Sequence, residues 1–508
     1  MKKQINMILV RGIAFVLMLA LFVLSFSGCK KTNGEDMYSV YSTVEWVEDE
    51  QGEGDSSEDG GSGNNASSNK DNSSTTGSSG NSNTKVETKG KTFTIMSAYL
   101  PQSKSKAQYT FEKLFWERAA EVEKQYGVKI KVISGYPNTN NLAALIMAGK
   151  KVANILETNV EDITALASAG YIIPWDDVAG VNVKNPNFWP GYTKAATLGT
   201  KHYGVQFEKP PELRFCMVVN KTLLASKGIK ADDIYTLVEN KKWTFAKFLE
   251  YAKAATDTSK GTYGLGGTPA KVAQMLMAAN GGKVVTINSS GKATATYTSK
   301  NIKNALDWMY DLVNTNKVYY TVSAQFEDGQ ANNAAPDYTQ AFIDGKLAFL
   351  MDDSWVLNQQ IRPKIAKKGN NISYGLLPVP LGPDAGNKGY NSLSSYARVF
   401  TITKTNTEKD FTAKILNALA EYPKGYDKNS WQDEVAADYF QSGDTKSLNM
   451  YLKLLANMES DPGVGLPRVY SAFIESAMET PIFYDKNTPS AAIDAIGTSY
   501  NKTISELF

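Results

Sequence analysis

From Thr92 onward the chain alternates short β-prone runs with longer stretches of helical periodicity, and no other feature limits the fold as strongly. Residues 92–96 are rich in β-formers. Residues 109–126 then carry Phe111, Phe115, Ala119, Val122 and Tyr126 at the spacing of one helix face. Residues 128–133 read as a second strand, 140–149 as a helix and 152–156 as a third strand. A further helix from about residue 160 stops at Gly170. Strands separated by helices predict a parallel sheet with helices on its faces. Ligands meet such sheets beyond the carboxyl ends of the strands. Tyr99 after the first strand, Tyr136 after the second, and Glu157, Thr158, Asn159 and Glu161 after the third are therefore candidate ligand contacts.

The second half is richer in helix. Thr244 is placed to cap a helix burying Phe245, Phe248, Leu249 and Ala252. Another helix from Ser299 carries Ile302, Ala305, Leu306, Met309 and Leu312 on one face. Strand-like pieces recur at residues 215–219, 347–351 and 372–378, and no internal repeat is evident. The pattern predicts two α/β lobes.

The N-terminus is a different material. Lys2, Lys3 and Arg11 precede an apolar run over residues 12–26, which ends at Ser27-Gly28-Cys29. This is the layout of an export signal, and about 15 apolar residues fall short of the roughly 20 needed to span a membrane. Residues 1–28 thus read as a signal peptide. Cys29 after Ser-Gly resembles the lipobox of bacterial lipoproteins, with Phe26 where Leu is usual. That resemblance implies cleavage before Cys29, acylation of its thiol and an outward-facing anchor in the cell membrane. Cys216 is the only other cysteine, so with Cys29 lipidated the core must hold the exported body together without a disulfide.

Residues 29–90 are dominated by Ser, Gly, Asn and acidic side chains, a composition that buries too little apolar surface to fold. They read as a disordered tether, about 60 residues spanning roughly 40–45 Å end to end. Loss of Lys2, Lys3 and Arg11 with the signal takes the formal charge from +2 to about −1. Such a balance carries no electrostatic footprint for nucleic acid.

Several motifs, in order, resemble the extracellular solute-binding proteins of family 1, which include maltose- and oligosaccharide-binding receptors. Residues 142–149 followed by Ala153-Asn154-Ile155 resemble the family's helix, Gly-Lys and strand, with Ala153-Asn154 replacing Pro-Asp. Gly170-Tyr171-Ile172-Ile173-Pro174-Trp175-Asp176-Asp177 is similar to its "G-x-x-x-P-L-D-D" turn. His202-Tyr203-Gly204-Val205 and Met217-Val218-Val219-Asn220-Lys221 resemble its "Y-G-V-P" and "Y-N-K" strands, with Gln206 in place of Pro. Trp243-Thr244-Phe245, residues 342–349, Asp353-Ser354-Trp355 and the turn through Gly382-Pro383 continue the series to about Leu419.

The resemblance implies a periplasmic-binding-protein-like (type II) α/β Venus-flytrap fold. One lobe would span 91–210 plus about 398–440 and the other 211–397 plus about 441–508, with strands crossing near residues 209–214 and 397–403. It implies a receptor that captures a mono- or oligosaccharide and delivers it to ABC permease subunits, as a monomer and without a cofactor. Trp355 matches a family position that stacks on sugars. Glu212 and Arg214 sit at the first crossing, while Tyr390 and Asn391 follow the Gly-Pro turn and are placed to close the pocket.

Catalytic patterns find little support. His202 is the only histidine, which rules out zincin and His-rich metal motifs, and no G-x-S-x-G elbow occurs. Adjacent Asp352 and Asp353 in a strand point to opposite faces and make no glycosidase pair. Trp175-Asp176-Asp177 reads as a structural turn with Asp capping a helix, and Cys216 as a buried small hydrophobe. A glycan-acting surface enzyme and a sensor for a membrane kinase remain the alternatives.

Overall fold

The computed structural model describes residues 86–321, 337–369, 372–394, 396–466, 473, 475–485, 487–496 and 504. The signal, Cys29 and the tether as far as residue 85 lie outside them. The strands follow in chain order as β1 (Thr92–Ser97), β2 (Lys129–Ser134), β3 (Ile155–Asn159) and β4 (Ile172–Ile173), then the hairpin β5 (Thr197–Leu198) and β6 (Lys201–His202). Next come β7 (Phe215–Asn220), β8 (Tyr263–Gly266), the hairpin β9 (Val285–Ile287) and β10 (Ala293–Ala295), β11 (Leu347–Asp353) and β12 (Tyr374–Leu377). Short β13 (Ser392–Leu393), long β14 (Arg398–Thr403) and β15 (Met458–Glu459) follow.

Two larger sheets form from these strands, β2-β1-β3-β14-β4 and β12-β7-β11-β8, beside the two-stranded pairs β5-β6, β9-β10 and β13-β15. In the first, β1 lies parallel to both β2 and β3, as strand–helix alternation predicts. One face buries Phe93, Ile95, Ile130 and Val132 against Phe115, Ala119 and Val122 of helix Thr110–Tyr126 and Phe411 and Ile415 of helix Lys409–Ala420. The other face, through Met96 and Leu156, joins the larger core of the second sheet, where Trp243, Phe248 and Phe349 meet. Thr244 caps helix Phe245–Ala255, and the face predicted for the helix from Ser299 is buried throughout its length. Gly170 ends the helix after β3 with φ of +65°, a backbone state glycine adopts without strain.

Three local expectations are corrected. The first sheet is mixed, because β14 returns antiparallel between β3 and β4. β3 runs over Ile155–Asn159 and not over 152–156, since β14 pairs Arg398 with Asn159 and Val399 with Thr158. That partner lies some 240 residues away in sequence, and nothing local to β3 announces it. Asp176 caps no helix: its carboxyl accepts the backbone N–H of His202 at 2.7 Å and lies 2.9 Å from the imidazole Nδ1, holding the β5–β6 hairpin. Asp352 and Asp353 do diverge, one pairing with Lys271 and the other with Arg214.

Among the described residues, 206–214 lead from the first sheet, where Val205 bridges Phe400, into β7, and the chain comes back from β13 to the first sheet at β14. Helix Thr445–Ala456 packs on β12, and helix Ser430–Tyr439 lies against it, with Trp431 meeting Trp189 edge to face at 5.2 Å.

Candidate functional site

The segment 206–214 is fixed by side chains arriving from both sides. Two tyrosine hydroxyls pin it: Tyr192 accepts the Glu212 N–H and donates to the Glu212 carbonyl, and Tyr451 accepts the Leu213 N–H at 2.8 Å and donates to the Pro211 carbonyl at 3.0 Å. Ser354 donates to the Leu213 carbonyl and Trp189 Nε1 to the Glu208 carbonyl. Lys209, buried, donates to the carbonyls of Phe207 and Ala420, 2.7 Å each; burial first, and Arg118 second, lower its pKa to about 7. Each bond satisfies a backbone group that a sheet-to-sheet passage would otherwise leave unpaired.

Two guanidinium centres flank this passage. Arg398, first residue of β14, lies 3.3 Å from Glu157 of β3 and 3.4 Å from Glu208 of the crossover. Its carbon stands 5.1 Å from the centroid of Tyr99 and 4.5 Å from that of Phe111, a cation–π arrangement. Both carboxyls are buried, Ser97 donates to Glu157, and Gln206 Nε2 donates to Glu208 at 3.1 Å. Burial raises both carboxyls above the usual range, Glu208 to about 8, while Arg398 pulls the other way. Two carboxyls facing one guanidinium in a dry site share a retained proton.

The second centre is more open. Arg214 Nη1 bonds Glu212 at 2.8 Å and Nη2 bonds Asp353 at 2.7 Å, while its buried Nε–H finds no acceptor among the described residues. Asp353, at the end of β11, is buried, which raises its pKa to about 6 against the opposing pull of Arg214. Glu212 is a quarter exposed. Trp355, two residues beyond Asp353, is half-buried, its N–H 3.3 Å from the Asp353 carboxyl.

Beyond β3 lies a chain of hydrogen bonds. Tyr99 OH donates to Asn159 Oδ1 at 3.0 Å, Asn159 Nδ2 donates to Tyr136 OH at 3.0 Å, and Tyr136 OH donates to Asp162. The Tyr99 and Tyr136 rings meet edge to face at 6.4 Å. Burial raises Asp162 to about 6 against these hydrogen bonds. Glu161 is held well above the carboxylate range by burial and by the charge of Asp162, while Arg214 acts on it in the opposite sense, so the two guanidinium-bearing and tyrosine-bearing parts share one field. Gly465 presses on this turn so closely that a Cβ would lie 1.4 Å from the Glu161 carbonyl oxygen, leaving room for glycine alone.

Six predicted residues are thereby linked, Tyr99, Tyr136, Asn159 and Glu161 on one side and Glu212 and Arg214 on the other, with Trp355 placed two residues past Asp353, the partner of Arg214. The expectation that Glu157, Thr158 and Asn159 sit in a loop is corrected, since all three are buried strand residues. Glu157 and Asn159 share one face, and Thr158 on the other donates to the Pro137 carbonyl at 3.0 Å. Tyr390 and Asn391 are not in this group. Tyr390 OH bonds the backbone of Trp243, and Asn391 Nδ2 donates to Glu459. Sequence reasoning missed Arg398, Glu208 and Asp162 and discounted Asp353. An arginine opening an otherwise apolar run at residue 398 was the one available signal. Among the described residues no cluster of His, Cys, Asp and Glu is arranged to hold a metal ion, and no helix is long and apolar enough to cross a membrane.

A family model for bacterial extracellular solute-binding proteins matches residues 117–443. No curated protein matches the sequence. Solved structures match in fold at low identity. The GacH receptor of Streptomyces glaucescens, solved unliganded and with acarbose, is 17% identical with a TM-score of 0.54, over 82% of this chain and 99% of that one. The cyclic α-maltosyl-1,6-maltose binding protein of Arthrobacter globiformis is 15% identical with a TM-score of 0.57, over 82% and 99%. The galacto-N-biose/lacto-N-biose I-binding protein of a Bifidobacterium longum ABC transporter is 16% identical with a TM-score of 0.54, over 82% and 97%. Such likenesses establish the two-lobed type II binding-protein fold, and with the family match over well beyond half its length the chain belongs to the bacterial extracellular solute-binding proteins.

Proposed function

We propose that this receptor captures a saccharide between its lobes and presents it to an ABC permease without altering it. The observation that carries the reading is the linked set of Tyr99, Tyr136, Asn159 and Glu161 beyond β3 and Glu212 and Arg214 at the passage between the sheets, with Trp355 two residues past Asp353, the partner of Arg214. Aromatic faces with a few oriented polar groups are what a pyranose requires. The matched sugar-binding structures support the same class of ligand. Lobe 1 would comprise 91–210 and about 398–440, lobe 2 residues 211–397 and about 441–508, and a ligand touching both would favour their closed arrangement. The signal-like segment 1–28 and Cys29 support a lipid anchor on the outer face of the membrane, with residues 29–90 as tether and the body acting as a monomer.

The test is a thermal-shift panel of mono- and oligosaccharides on the full chain, with chromatography of the recovered sugar. A ligand at 100 times its Kd adds about 2.7 kcal/mol of stability. A selective shift with the sugar recovered intact is expected. No shift across the panel sinks the saccharide reading, and sugar breakdown sinks the non-catalytic one.

A further inference from the structure

An aromatic pair outside the site bears on the length of the saccharide. Among the described residues, Tyr109 at 46% and Met147 at 82% are the large apolar side chains left exposed. Met147 ends a helix on a flexible, unbranched side chain. Tyr109 is a fixed ring instead: it lies parallel to Phe111, 4° from its plane, with centroids 6.0 Å apart. Its backbone is fixed as well. The buried Glu112 carboxyl accepts the N–H groups of Gln108 at 2.6 Å and Tyr109 at 3.0 Å. The Trp116 indole N–H donates to the Pro101 carbonyl at 3.0 Å, tying the start of the same loop to helix Thr110–Tyr126. An exposed side chain ordinarily keeps its rotamer freedom, whereas this one is ordered before any ligand arrives.

Phe111 connects the pair to the site. Arg398 stands 4.5 Å from its centroid, 5.1 Å from that of Tyr99, and reaches Glu157 and Glu208. A guanidinium and a ring therefore separate Tyr109 from Tyr99, too much for one pyranose to touch both. The row of rings that begins at the site ends in solvent at Tyr109. A preorganised aromatic face at that end suits a further sugar ring, whose apolar side stacks on it. We propose that Tyr109, backed by Phe111, carries an outer ring of the bound saccharide, so that the ligand is an oligosaccharide; the inference rests on the saccharide reading above. The platform acts through its face, so phenylalanine serves there and alanine does not.

Calorimetric titration of the full chain with linear malto-, cello-, manno-, xylo- and galacto-oligosaccharides of one to five rings tests this. In a series that binds, affinity is expected to rise at least about tenfold between one ring and four. In Tyr109→Ala, checked as folded by circular dichroism, the four-ring sugar should lose about three- to tenfold, the scale of one aromatic contact, with one-ring affinity unchanged. Tyr109→Phe should keep the wild-type dependence on length, and Met147→Ala should change nothing. Equal affinity at one and four rings overturns the inference while leaving the saccharide reading standing. So does a dependence on length that survives Tyr109→Ala, or a loss in that variant that is the same at every length. Failure of every saccharide to bind overturns both.

Discussion

The two arginines at the passage between the sheets make a controlled comparison. Arg398 is wedged between two aromatic faces and two buried carboxyls, at contacts of 3.3 and 3.4 Å, with nothing open to solvent beyond a ninth of its side chain. Arg214 makes tighter pairs, 2.8 and 2.7 Å, yet one partner is a quarter exposed and its Nε–H has no acceptor among the described residues. The same residue type therefore does two jobs. The dry centre holds β3, β14 and the crossover together, and the half-open centre leaves one buried donor without an acceptor among the described residues, the donor that the proposed function assigns to a ligand. Burial of the partners, more than the number of ion pairs, separates the roles.

If that division is right, Arg398→Met does the greater damage. It leaves Glu157 and Glu208 buried without a counter-charge, and urea unfolding should show a loss of about 3–5 kcal/mol. Arg214→Gln should cost less stability, because Glu212 can rehydrate, while calorimetry should show at least about tenfold weaker binding of any saccharide that shifts the wild type. Equal destabilisation by the two variants would erase the distinction.

A smaller effect concerns pH. Glu208 at about 8 and Asp353 and Asp162 at about 6 hold protons in the folded state that the unfolded chain gives up near pH 4 to 4.5. Between pH 5 and 7 the folded protein therefore binds more protons, and its stability falls as pH rises. Above about pH 7 the depressed Lys209 acts with opposite sign. Thermal midpoints should thus decline from pH 5 to 7, and Glu208→Gln should flatten that decline.

The elements of each lobe were legible because their signals are local: a helical face at Ile302 to Leu312, an N-cap at Thr244, a glycine stop at Gly170. The site was legible only in part. Tyr99, Tyr136 and Glu161 follow from the rule that loops at strand ends carry ligands, and Arg214 from its place in the first crossing. The end of β3 was misplaced because β14 extends it from far along the chain. Arg398 and Glu208 stayed hidden for the same reason, since their meeting depends on two crossings that no local pattern encodes. Tyr390, expected to close the pocket, instead shows its hydroxyl bonded to the Trp243 backbone, a contact 147 residues long that no local pattern announces.

Hydrogen–deuterium exchange of the full chain, with and without a saturating mixture of mono-, di- and tetrasaccharides, locates the site most directly. Protection is expected in peptides containing Tyr99, Tyr136, Asn159 to Asp162, Glu212 to Arg214 and Asp353 to Trp355, with Trp175 to Asp177 unchanged. Protection confined to the cavity lined by Gln274, Lys283 and Asp461, or none anywhere, would contradict the account.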